Sequence, residues 1–150
     1  MKESVGLTFT INIMIVFVVV AFIFVTGILS YTKAFKAASL IVKSLERYEG
    51  YNELAFNQIN RNLSALAYIS GDSSKCPETK EATIGEGRLV TMNNEEHFSY
   101  CIYKFDNDGD EKHYSYGIVT YMTVDFTMFN LKLKLPIYAR TTRIYRFTNT

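Results

Sequence analysis

Ser4-Val5-Gly6-Leu7-Thr8-Phe9-Thr10-Ile11-Asn12-Ile13-Met14-Ile15-Val16-Phe17-Val18-Val19-Val20-Ala21-Phe22-Ile23-Phe24-Val25-Thr26-Gly27-Ile28-Leu29-Ser30-Tyr31-Thr32 decides the architecture of this chain. These 29 residues hold no Asp, Glu, Lys, Arg or His. A helix needs roughly 20 apolar residues to cross a hydrocarbon core of about 30 Å, so Leu7–Leu29 predicts a membrane-spanning helix. The many β-branched residues would suit a strand in water, but in lipid only a helix satisfies its own backbone groups. A removable signal peptide fits less well. The apolar part exceeds the usual signal core of about 7–15 residues, and no small-x-small site closes it. The segment is therefore read as a retained tether, with residues 1–32 as tail and span and residues 33–150 as stalk and domain.

Past the span, Phe35, Ala38, Ile41, Val42, Leu45 and Tyr48 recur at three and four residues while Lys36, Lys43, Glu46 and Arg47 fall between them. This is one amphipathic face, and no Gly or Pro interrupts it before Gly50. The spacing predicts a single helix from Val5 to Glu49, half apolar rod and half stalk, with Gly50 as its left-handed terminator. A second helix follows, capped by Asn52, with Leu54, Ala55, Ile59, Leu63 and Leu66 on one face. Ala67 to Glu86, punctuated by Gly71, Asp72, Pro77 and Gly85, reads as a connecting loop.

From Gly87 the period changes to two. Four strands are expected near 87–92, 97–105, 112–126 and 131–147, as an antiparallel meander with one buried and one wetter face. Asn107-Asp108-Gly109-Asp110 supplies turn chemistry between the second and third, and Pro136 marks an edge or a bulge in the last. The fold class is α+β: a long N-terminal helix, a short second helix and a small antiparallel sheet.

The totals agree with one small domain beyond the span, since some 115 residues cannot build two cores. Twenty-two Phe and Tyr residues with two Pro describe a packed, sheet-rich domain. A net charge of +1 with dispersed basic residues carries no nucleic-acid footprint. Cys76 and Cys101 lie outside the span, and Cys76 sits in a polar stretch, so one disulfide in an oxidising compartment is expected. The charge bias of the flanks, Lys2 offset by Glu3 against Lys33, Lys36, Lys43 and Arg47, favours a cytoplasmic domain. The expected disulfide favours an extracytoplasmic one, and that is the orientation adopted.

Chemistry is sparse. The cluster Asp106 to Glu111 fails the EF-hand frame, which needs Gly where Glu111 stands, so turn chemistry accounts for it. His97 and His113 have no marked nucleophile, and neither a nucleophile elbow nor a phosphate loop occurs. No catalytic residue, cofactor, metal ligand or small-molecule substrate is assigned. Polar residues inside the span carry more information. Thr8 and Asn12 share a helix face, where an amide in lipid either bonds a neighbouring helix or is hydrated near the interface.

A short tail with Gly6, an apolar helix running straight into an amphipathic stalk, and a closing strand pair from Val119-Thr120-Tyr121 to Tyr138-Ala139-Arg140 resemble type IV pilin-like proteins. The likeness is nearest to TadE-like pseudopilins of tight-adherence (Tad) pilus systems. It implies a bacterial membrane subunit processed after Gly6, stored in the bilayer and packed against other pilin-like subunits or copies of itself, with an extracellular filament as destination. It also implies an acid near the fifth mature position, where this chain has Ile11, with Asn12 next and no acid before Glu46. Either Asn12 serves as a substitute acceptor or the chain is not polymerised in the usual manner. The reading from another class is a single-pass accessory module whose sheet binds a partner at the membrane.

Overall fold

An unbroken run of helix-compatible residues gives α1, Lys2–Arg47, 46 residues and about 69 Å long. The computed structural model describes residues 2–68, 76, 87–90, 100–106, 112–126 and 131–146. After α1 come α2 (Glu53–Ala65) and five strands: β1 (Arg88–Leu89), β2 (Tyr100–Asp106), β3 (His113–Phe126), β4 (Leu131–Arg140) and β5 (Ile144–Tyr145). The α+β architecture expected from the sequence is the one observed, with a fifth short strand added.

Both helices end in the same way. Glu49 takes the left-handed conformation (φ 51°) while Gly50 N–H donates to Leu45 O at 2.9 Å and Glu49 N–H to Glu46 O at 3.4 Å. That is a Schellman ending, displaced by one residue from the terminator expected at Gly50. Gly50 is needed for another reason: its φ of +143° strains any side chain, and an added Cβ would lie 3.1 Å from Tyr116 Oη. In α2, Asn52 is the N-cap, accepting from Ala55 N–H at 2.8 Å. At the other end Ala67 (φ 48°) turns the chain, and Tyr68 N–H donates to Leu63 O at 3.0 Å. Ala55, Ile59 and Leu63 are buried, but Leu54, expected on that face, is 63% exposed because it points about 100° away from Ala55 around the helix.

The sheet is antiparallel in the order β1-β2-β3-β4, with β5 pairing the start of β3 beyond the end of β4. Small residues bring α1 onto it. Ala34, Ala37 and Ala38 are buried with Ile41 and Leu45, and the approach is close enough for the Thr120 hydroxyl to donate to Ala34 O at 3.1 Å. Ile59 and Leu63 of α2 and Tyr100, Ile102, Tyr116, Ile118 and Ile144 of the sheet complete this core.

The opposite sheet face departs from expectation. Cys101, Tyr103, Phe105 and Val119 form a second buried cluster, so the face expected to be wetter is covered along β2. The cover comes from chain segments distant in sequence. Cys76 is joined to Cys101 by a disulfide, with Cα atoms 5.7 Å apart. Gly87 lies so close that an added Cβ would meet the Phe105 ring at 2.7 Å, and the Arg140 guanidinium lies 4.6 Å from that ring's centre.

The last expected strand is split. Thr141 keeps pairing with β3, its N–H donating to Tyr116 O and its Oγ1 accepting from Tyr116 N–H, both at 2.9 Å. Glu46 of α1 then takes Thr142 N–H at 2.8 Å and Thr142 Oγ1 at 2.9 Å, drawing the chain toward the helix and breaking the ladder before β5. Pro136 lies on the edge strand β4 with no bulge in the register. Among the described residues the β2–β3 ladder runs as far as Asp106 opposite Tyr114. Residues 107–110, His97 and most of the expected loop 67–86 lie outside the described residues.

Candidate functional site

Among the described residues the unusual surface is the first half of α1. Between Leu7 and Leu29 fifteen large apolar side chains are exposed, Phe17 by 73% and Phe22 by 69%. The best 18-residue window has a mean hydropathy of 2.9 and none of it is buried within the chain. Leaving that surface in water costs on the order of 20–40 kcal/mol at about 1.5–3 kcal/mol per large side chain, more than a small domain's whole stability. This helix is long and apolar enough to cross a membrane.

Its polar residues divide into two kinds. Thr10, Thr26 and Thr32 donate to the carbonyls of Gly6, Phe22 and Ile28 four residues earlier, at 2.8–2.9 Å, and so satisfy themselves within the helix. Asn12 is different: it is exposed, borders a shallow apolar hollow with Ile13, Val16, Phe17 and Val20, and its amide has no bond within the chain among the described residues. Thr8 lies one turn before it on the same face. Gly6 is helical, and nothing lies within 4 Å of a Cβ added there, so no packing in this chain calls for a glycine.

Where the free rod meets the domain, Ser30 Oγ donates to Thr123 O at 2.6 Å. An open cleft of about 270 Å³ lies at that junction, lined by Thr26, Leu29, Ser30, Lys33, Ala34, Tyr68, Tyr121 and Thr123. The Tyr68 hydroxyl closes its upper wall by donating to Tyr121 O and accepting from Tyr121 N–H. Sequence reading missed this junction, because Ser30 and Thr123 are 93 residues apart and nothing local in either marks the other.

Among the described residues no three His, Cys, Asp or Glu side chains stand together as metal ligands. His113 packs edge-on against Tyr145, ring centres 5.4 Å apart. Asp106, the described member of the acidic cluster, meets Lys104 at 3.2 Å and Arg146 at 2.7 Å. Burial pushes its carboxyl up, but the Lys104 hydrogen bond and the charges of Lys104, Arg146 and Arg88 outweigh this and hold it below its ordinary value. No family model, curated protein or solved structure matches the chain.

Proposed function

We propose that the chain is a membrane-anchored, non-catalytic, pilin-like subunit or pseudopilin of a bacterial type IV filament or Tad-like assembly. One observation carries this reading: a single unbroken helix is bare and apolar over its first half and packed against a small sheet over its second. Such a rod has two uses. It rests in a bilayer as a monomer, and in an assembly it exchanges lipid for the apolar segments of other subunits, so that the same surface serves storage and packing. Asn12, with Thr8 beside it, is the polar group that a neighbouring helix would satisfy. The Cys76–Cys101 disulfide supports an extracytoplasmic domain, since such bonds persist in oxidising compartments.

Intact mass of the membrane fraction tests the reading. Loss of Met1 to Gly6 and recovery of the chain in sheared filaments are expected; a full-length chain found only as a monomer would count against it. A second reading is favoured by Ile11, which occupies the place where related subunits carry an acid. It makes the chain a single-pass accessory module whose sheet recognises a partner at the membrane, and it predicts retention of Met1 to Gly6 with no filament.

A further inference from the structure

Three hydrogen bonds show that β3 descends α1 in the opposite direction. Tyr114 Oη donates to Glu49 O at 2.7 Å, Thr120 Oγ1 to Ala34 O at 3.1 Å, and Ser30 Oγ to Thr123 O at 2.6 Å. Ser30 already lies inside the charge-free run, three residues before Lys33. The β3–β4 ladder does not stop at that level. It continues through Val124–Leu133, Asp125–Lys132 and Phe126–Leu131. Three strand residues, from Thr120 to Thr123, correspond to four helical residues, from Ala34 to Ser30. The next three pairs therefore carry the hairpin to about the level of Thr26, roughly 6 Å further along α1.

The charge-free run is about 43 Å long, matching a bilayer with its headgroup layers at about 40–45 Å. On that scale Ser30 stands among the headgroups and Thr26 at the edge of the acyl chains. The hairpin surface suits both. Ile137 and Ala139 pack on the core, but Leu135 and Leu133, further down the same face of β4, are 43% and 41% exposed. On the other face the Lys134 ammonium lies 4.4 Å from the centre of the Tyr121 ring. On α1 at this level, Tyr31 and Phe35 stack with centres 6.2 Å apart, and Lys33 is exposed. Tyr and Lys with apolar bodies and polar ends are the residues that settle at a membrane surface.

We infer that the lower end of the β3–β4 hairpin is a second membrane contact, with Leu133 toward the acyl boundary, Leu135 within the headgroup layer, and Lys134 and Lys33 facing anionic phospholipid headgroups. The inference rests on the reading of α1 as a membrane anchor. Leu133 and Leu135 lie on the β4 face that higher up packs on the core shared with α1, and Lys134 of the hairpin with Lys33 of α1 complements acidic lipid. A subunit held at two points keeps one rotational setting about α1, and leaving the bilayer requires the hairpin to lift as well.

The chain contains no Trp, so single tryptophans report depth. Full-length Phe17→Trp, Leu135→Trp and Leu54→Trp are reconstituted in vesicles of phosphatidylethanolamine and phosphatidylglycerol containing lipids brominated near the headgroup or deep in the chain. Deep quenching of Phe17→Trp, shallow quenching of Leu135→Trp and none of Leu54→Trp are expected. Adding Lys134→Glu to Leu135→Trp should weaken its shallow quenching about twofold in these vesicles and leave it unchanged in phosphatidylcholine. An unquenched Leu135→Trp beside a quenched Phe17→Trp overturns the hairpin contact alone, and blue-shifted emission in that case identifies another protein surface as its cover. An unquenched Phe17→Trp overturns the anchor and the hairpin contact together.

Discussion

The Tyr68 hydroxyl donates to Tyr121 O at 3.0 Å and accepts from Tyr121 N–H at 2.8 Å, taking the place that a strand partner holds elsewhere along β3. Among the described residues β2 reaches as far as Tyr100 opposite Thr120, and Tyr121 is the next residue of β3. Its neighbour on β4 is Pro136, but the N–H and C=O of Tyr121 point away from β4, toward Tyr68. One phenol therefore satisfies a backbone donor and a backbone acceptor, and the ending of α2 places it. Tyr68→Phe should cost about 1–3 kcal/mol, because both groups lose their partner inside a half-buried site. Urea unfolding of the full-length chain in detergent, followed by circular dichroism, measures this as a lower midpoint at unchanged slope.

The same burial sets a pH limit. Burial pushes the hydroxyls of Tyr68 and Tyr103 up from 10.0 to about 12, and that of Tyr100 higher still. The folded value lies above the unfolded one, so the stabilisation is fully present below pH 10 and is lost as pH rises through about 12. Loss of β-sheet signal between pH 10 and 12 should coincide with the rise of tyrosinate absorbance. Complete development of the tyrosinate absorbance, all eleven tyrosines included, while the sheet signal is still intact would contradict the buried assignments.

The Cys76–Cys101 disulfide links two positions 25 residues apart in the chain at the outer face of β2. Cys76→Ala together with Cys101→Ala should destabilise the domain by about 2–4 kcal/mol. Gly87→Ala acts on the same face by overpacking, with its Cβ driven into the Phe105 ring, and should cost about 1–3 kcal/mol. Thermal melts of the variants in detergent check both values. The two changes share the Tyr103–Phe105 cluster, so their costs should not add.

Legibility followed the range of the signal. The apolar rod, the Asn52 cap, the change of period after Gly87 and the edge position of Pro136 are local patterns, and each stands where the sequence places it. The covered outer face of β2 was hidden because Tyr and Phe at alternate positions look alike whether solvent or a distant segment lies over them. The break before β5 was hidden too, since Glu46 and Thr142 are 96 residues apart. At the site, the sequence marked Asn12 as a polar residue in an apolar span. It left Ser30 and Thr123 unmarked, because a Ser and a backbone carbonyl carry no pairing code.

Glu46 ties the C-terminal end of α1 to the start of β5 through two bonds to Thr142. The pair is exposed, so solvent competes, and Glu46→Ala should cost only about 1 kcal/mol. The local effect should be larger. Amide exchange of Ile144 and Tyr145 should quicken while that of Ile118 stays slow, because only the short β5 pairing depends on this tie. Uniform acceleration across the sheet would instead place Glu46 in the global fold.

Asn12 separates the assembly reading from a passive anchor. In a lone helix in lipid its amide is a cost, and Asn12→Leu should insert into membranes at least as well as the native chain. If a neighbouring helix supplies the partner, the same change removes about 0.6–2 kcal/mol from association, weakening it about 3- to 30-fold. Energy transfer between labelled full-length copies, measured while diluting the protein in lipid, reads that shift directly. Asn12→Ser keeps a hydrogen-bonding group and should fall between the two. Association unchanged in Asn12→Leu would mean that water, not another subunit, satisfies the amide, leaving α1 as a tether alone.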